Sequence, residues 1–143
     1  MAKFLDGQIS QNASYAGSIS IPATTAPALF GTLGLNLTGA GPNVRVNYEA
    51  TVSLFSLLGI LTTATITVVR ISGGVPVVVY TANQTLPAIA LTTFNFTISG
   101  IDNNVPVPAA PGFVTYQAFI SVGGLLLASR VGPESFSAIA SSD

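Results

Sequence analysis

The sequence has no cysteine, no histidine and no tryptophan, and only four basic and five acidic side chains in 143 residues. Each shortage closes a class of function. Without cysteine there are no disulfide staples, thiolate metal sites or thiol nucleophiles. Without histidine a Ser-His-Asp triad and an imidazole metal site are impossible. The cations Lys3, Arg45, Arg70 and Arg130 are scattered along the chain. They form no phosphate-tracking stripe and no polybasic patch, so neither nucleic acid nor an anionic membrane surface is an expected partner. Lack of tryptophan removes the usual aromatic platform for gripping sugars.

The remaining polar groups offer little chemistry. Glu49, Asp102 and Glu134 fall in separate segments, and no spacing points to a glycosidase pair, although one could still form in space. The sequences around Gly31–Gly34, Gly73-Gly74 and Gly123-Gly124 are not phosphate loops, because no lysine follows and no helix opens there. Asp102-Asn103-Asn104 could offer oxygens to calcium, but three adjacent oxygen residues read more simply as a turn. No catalytic, cofactor-binding or metal-ligating residue is assigned, no cofactor is expected, and the chain does not read as an enzyme.

Charged residues make up 6% of the chain, against about 25% in a typical domain. Thr, Ser, Asn, Ala and Gly take their place. A free monomer usually keeps more charge for solubility. A surface this neutral suits a protein covered by copies of itself. The competing reading is an extracellular domain solvated by hydroxyls, amides or attached sugars. Asn-x-Ser/Thr triplets occur at Asn12, Asn36, Asn83 and Asn95, and in a chain of this composition they read as incidental. Arg45 and Glu49 lie four apart on one polar face. They suit a solvated face, a cross-strand pair or a subunit contact.

The N-terminal run Met1-Ala2-Lys3-Phe4-Leu5-Asp6 does not have the form of a secretion signal, because an acid follows the lysine and no apolar region comes next. Ala50 to Val69 is 20 residues without a charge, long enough for a membrane helix. Its Thr and β-branched content and its initial alternation read as strands instead.

Period-two alternation is the dominant pattern. Val44, Val46, Tyr48, Ala50, Val52 and Leu54 alternate with Arg45, Asn47, Glu49, Thr51 and Ser53. Ala64, Ile66 and Val68 alternate with threonines, and Phe94, Phe96 and Ile98 with Thr93, Asn95 and Thr97. Val114, Tyr116, Ala118, Ile120 and Val122 form a fourth run, with Phe119 breaking its polar face. Shorter runs add strands near 29–37, 75–81, 125–131 and 135–140, separated by turns that include Gly73-Gly74, Pro111-Gly112 and Gly132-Pro133. The expected fold is all-β, a single jelly-roll sandwich over residues 29–143. Its core should hold Val46, Tyr48, Val52, Ile66, Val68, Phe94, Phe96, Tyr116, Ile120 and Ile139.

Residues 1–16 read as an extended N-terminal arm, and residues 17–28, with Gly17, Pro22 and Pro27, as its junction with the domain. Phe4, Leu5, Ile9 and Tyr15 are apolar enough to want a groove. They are the expected subunit-contact residues, docking on another copy by strand addition.

The neutral, Thr- and Val-rich strands over residues 17–143, and the layout of arm plus domain, resemble the jelly rolls of Gram-positive spore-surface proteins. Two groups are similar: the endospore-appendage pilins, and the tumour-necrosis-factor-like heads of collagen-like exosporium glycoproteins. The segment Arg130-Val131-Gly132-Pro133-Glu134-Ser135-Phe136-Ser137 is the most distinctive stretch, with no mechanism attached to it. The resemblance implies a non-enzymatic protein at an extracellular surface, such as that of a spore. Appendage pilins carry connector cysteines and exosporium proteins a Gly-x-y stem. This chain has neither, so covalent cross-linking does not carry over and the pilin-like layout is favoured. The leading expectation is a homopolymeric filament or surface-layer subunit. The second is a trimeric surface head or binding module, and a viral capsid or tail jelly roll stays open.

Overall fold

A computed structural model describes residues 2–57, 62–123 and 128–143. It shows nine strands: β1 (Lys3–Ala13), β2 (Ile21–Pro22), β3 (Ala28–Asn36), β4 (Arg45–Ser56), β5 (Thr62–Ser72), β6 (Val75–Leu86), β7 (Thr92–Asn103), β8 (Phe113–Val122) and β9 (Ala128–Ser142). None of the described residues is helical. Two antiparallel sheets face each other as a jelly-roll-like sandwich. Sheet A runs β1-β9-β4-β7, with β2 also paired to β9, and sheet B runs β3-β8-β5-β6.

Alternation built these layers. Along β4, Val46, Tyr48, Ala50, Val52 and Leu54 point into the sandwich and are buried. Ala64, Ile66 and Val68 of β5 and Val114, Tyr116, Ala118 and Ile120 of β8 meet them from the opposite sheet. Burying a side chain of the Val, Leu, Ile or Phe class stabilises the fold by about 1.5–3 kcal/mol. A neutral chain with few ion pairs therefore rests on this interior.

The expected core holds for Val46, Tyr48, Val52, Ile66, Val68, Phe96, Tyr116 and Ile120, all buried. Phe94 is only half-buried. Ile139 is a correction: it is 56% exposed, because Phe136, Ala138 and Ala140 take the inward positions of β9.

The C-terminal strands also differ from expectation. Of the run expected at 125–131, residues 125–127 lie outside the described residues. The rest joins the run at 135–140 in one strand, β9, and Gly132-Pro133 lies inside it rather than separating two strands. The ladder to β4 passes from Val52↔Glu134 directly to Leu54↔Arg130, so residues 131–133 bulge out of the pairing. Proline is tolerated there because a bulge needs no ladder donor. Gly132 has φ +86°, and a Cβ on it would come within 2.7 Å of the Tyr15 carbonyl oxygen. Only glycine fits that close approach.

Residues 3–13 do not extend away from the domain. They form β1, paired antiparallel along β9 of the same chain from Lys3↔Ser142 to Ala13↔Glu134. In the junction, Ile21 and Pro22 form β2 on the same side of β9, opposite Arg130 and Ser129. The reason is proximity. The outer side of β9 presents a long row of unpaired backbone groups, and the tethered segment satisfies them at high effective concentration.

Candidate interaction surface

The four arm residues expected to make contacts fall in two environments. Phe4, Ile9 and Tyr15 are exposed, and Leu5 is half-buried against its own core. Phe4 and Leu5 point to opposite faces as neighbours in a strand do, and the register shift between Phe4 and Asp6 puts Ile9 on the face of Phe4 rather than that of Leu5. Nothing in the amino-acid pattern marks that bulge, so the sequence grouped residues that the backbone sends to different faces.

β1 also closes one side of the sandwich. Asp6 Oδ2 accepts from the Asn36 amide at 2.8 Å, and Ser10 Oγ accepts from the Thr32 amide at 3.2 Å. Acceptors four apart on β1 thus cap amides four apart on β3, blunting a sheet edge that would otherwise invite another strand. At its far end β1 is tied by Asn12, whose Nδ2 donates to Glu134 Oε1 at 2.8 Å. Glu134 is fully buried and takes a two-pronged ion pair from Arg130, at 2.6 Å from Nε and 2.7 Å from Nη2. The distinctive segment 130–137 therefore has a structural role: it bends β9 around a buried ion pair and gives β1 its anchor.

The outer face of sheet A carries the exposed apolar residues in register. One row across the sheet reads Gly7, Ile139, Asn47 and Ile101. The row on one side of it reads Phe4, Ser141, Arg45 and Asn103, and on the other Ile9, Ser137, Glu49 and Ser99. The Phe4 ring and Ile139 both lie within 3.7 Å of the space a Gly7 side chain would occupy, so they close over that glycine. Between Ile139 and Ile101 the face sinks into an open depression of about 560 Å³, lined also by Asn47, Glu49, Ser99, Gly100 and Ser137. Gly100 lines the depression with its backbone, and on its inner side the missing side chain leaves room for the buried Tyr48 ring, 2.7 Å from where a Cβ would sit.

Charge on this face is sparse and unevenly satisfied. Arg45 Nη2 reaches Asp143 Oδ1 at 3.1 Å, and the pair is partly exposed. Asp143 is held below the usual carboxylate range by hydrogen bonds from Asn43 and Arg45. Glu49 is exposed and makes no hydrogen bond or ion pair among the described residues. The intrachain Arg45–Glu49 pairing open from the sequence does not form.

The other polar cluster lies inside. Asp102 Oδ2 accepts from Arg70 Nη1 at 2.7 Å and from the Tyr116 hydroxyl at 2.8 Å. The carboxylate considered for calcium thus turns into the sandwich. Burial, then the charge of Asp102, then Tyr80 push the Tyr48 phenol up to about 12. Burial and the hydrogen bond to Asp102 raise Tyr116 further. These groups stay neutral and structural at ordinary pH.

No protein-family model matches the sequence, and no curated protein does. Solved structures match at the level of fold. Eiger TNF from S. frugiperda superposes with a TM-score of 0.53 at 8% identity, covering 96% of this chain and 92% of that one. The T13 viral particle of IBDV (infectious bursal disease virus) matches with a TM-score of 0.49 at 10% identity. There the alignment covers 96% of this chain but only 35% of the viral one. What the chain shares with Eiger TNF is the jelly-roll sandwich, and no family is identified.

Proposed function

We propose that this chain is a non-enzymatic structural subunit that self-associates into a filament or layer at a cell or spore surface, with β1 exchanged between neighbouring copies. The observation that carries the reading is how little of the core β1 holds. Of its described residues only Ala13 is buried, and Leu5 alone packs partly against the central cluster. Detaching β1 leaves the facing sheets intact and bares the outer side of β9. The same segment of another copy can then make the same hydrogen bonds there. The closed and exchanged forms contain nearly the same contacts, so concentration decides between them. Residues 14–20, between β1 and β2, reach about 23 Å when extended, which allows β1 to cross to a neighbour. Head-to-tail exchange does not close on itself and gives an open assembly.

The spore-surface setting is supported by the compositional resemblance, and the non-enzymatic reading by the absence of histidine and cysteine. Electron microscopy of the purified protein, intact and lacking residues 2–16, is the test. Filaments or sheets from the intact protein alone support the proposal. Compact closed particles would favour the surface-head reading, and normal filaments from the shortened protein would overturn the exchange.

A further inference from the structure

We infer that the outer face of sheet A is a self-complementary contact for a second copy, related by a two-fold axis across the strands at the row Gly7–Ile139–Asn47–Ile101. The inference rests on the reading that the chain self-associates, and it names a contact that reading does not require.

The argument is one of register and charge. Arg45 and Glu49 sit two residues either side of Asn47 on β4, and both face outward from the sandwich. A two-fold axis in the plane of the face, running across the strands through Asn47, carries each residue to the mirrored position along the strand. Arg45 of the second copy then stands over Glu49 of the first, and Glu49 of the second over Arg45 of the first. The same rotation sets Phe4 against Ile9, because their rows are equally far from the axis. It sets Ile139 against Ile139 and Ile101 against Ile101. Every exposed apolar side chain of these three rows, and both charges, find matching partners in one operation. Such reciprocity is what an isologous contact requires.

The cavity and the charge inventory agree. Arg130 is committed to Glu134 and Arg70 to Asp102, leaving the Glu49 side chain with no partner among the described residues. It lies at the depression between Ile101 and Ile139, which has room for a guanidinium. Arg45 can keep its contact with Asp143 and still offer donors to the second copy, because a guanidinium has five N–H groups. The strands run only about two residues past the axis row on one side, so the overlap is about five residues on each of four strands, roughly 330 Å² per partner. That is below the roughly 800 Å² per partner of a standard interface, and fits a weak contact that adds to strand exchange. Two sheets can stack there about 10 Å apart.

Charge reversal gives the experiment. Arg45→Glu and Glu49→Arg are made singly, and self-association is followed by sedimentation. Each single variant sets like charges against each other, and its pairwise association should weaken at least about 10-fold. An equimolar mixture of the two single variants should associate to within about 3-fold of the original protein, because every contact between unlike chains is then oppositely charged. Recovery on mixing also shows that the single variants are folded, and circular dichroism of each confirms it independently. Association that persists unchanged in both single variants overturns this inference and leaves the self-assembly reading standing. Weakening without recovery in the mixture also overturns it. A protein that stays monomeric at every concentration overturns both.

Discussion

The Tyr116 hydroxyl donates to Asp102 Oδ2 across 2.8 Å, and the bond joins β8 of one sheet to β7 of the other. Arg70 of β5 completes the link at 2.7 Å from the same oxygen. In a sandwich held almost wholly by apolar packing, this is a directional contact that fixes one sheet over the other. A buried carboxylate is costly unless paired and hydrogen-bonded, and here it is both. Tyr116→Phe should therefore destabilise by about 1–3 kcal/mol, the cost of withdrawing one partner from a buried polar group. Urea denaturation of the two proteins measures it.

The same cluster sets an alkaline limit. Tyr48 has its pKa raised from 10.0 to about 12 in the folded protein, chiefly by burial, and Tyr116 is raised as well. A folded state with raised pKa values holds its protons more tightly than the unfolded chain. The stability is full below the unfolded value and is lost as pH rises through the folded one. Unfolding should accordingly set in above about pH 10 and deepen toward pH 12, while phenolate absorbance from these two residues appears together with loss of β-sheet circular dichroism.

Two apolar residues on alternating strands should give opposite results. Phe96→Ala opens a cavity in the core and should cost about 3–5 kcal/mol. Ile139→Ala, on the outer face, should change monomer stability by no more than about 0.5 kcal/mol. Chemical denaturation at low protein concentration compares them without contribution from association.

That contrast also shows what the sequence could reveal. Alternation is local, so β4, β5, β7 and β8 were legible from residues such as Val46, Ile66, Phe96 and Ile120. Ile139 was not, because small inward residues flank it: Ala138 and Ala140 bury as well as isoleucine while looking less apolar. The course of β1 was hidden for a different reason. Its pairing with β9 joins Lys3 to Ser142 at opposite ends of the chain, and bulges at Phe4/Asp6 and Gln11/Ala13 break its own alternation. The interaction face was half visible. The Arg45–Glu49 spacing stands in the sequence, but the register that places Phe4, Ile9, Ile101 and Ile139 around it comes only from the sheet.

The buried ion pair should behave as a unit. Arg130→Met leaves the fully buried Glu134 carboxyl without its cation and held only by Asn12, and should cost about 3–5 kcal/mol. Arg130→Met combined with Glu134→Leu removes both charges and should recover most of that loss. A double-mutant cycle in urea gives the coupling directly, and additive single losses would mean the pair does not bend β9 as described.

β1 should open before the rest of the sandwich. It is held by backbone bonds to β9, two side-chain caps on β3 and the Asn12–Glu134 contact, with little apolar burial behind them. Segments with few buried apolar contacts open locally at lower free energy than the global transition. In native-state hydrogen exchange, the amides of 7–11 should lose protection well before those of 46–54 in β4, which lies between two strands. Asn12→Ala removes the anchor and leaves a buried carboxylate oxygen short of a donor, so it should lower the opening free energy of β1 by about 1–2 kcal/mol while leaving β4 exchange nearly unchanged. If β1 exchange feeds assembly, the same substitution should speed subunit exchange between labelled and unlabelled copies. Equal protection in β1 and β4 would mean that β1 leaves only when the whole domain unfolds, and exchange of the strand between folded copies would then have no route.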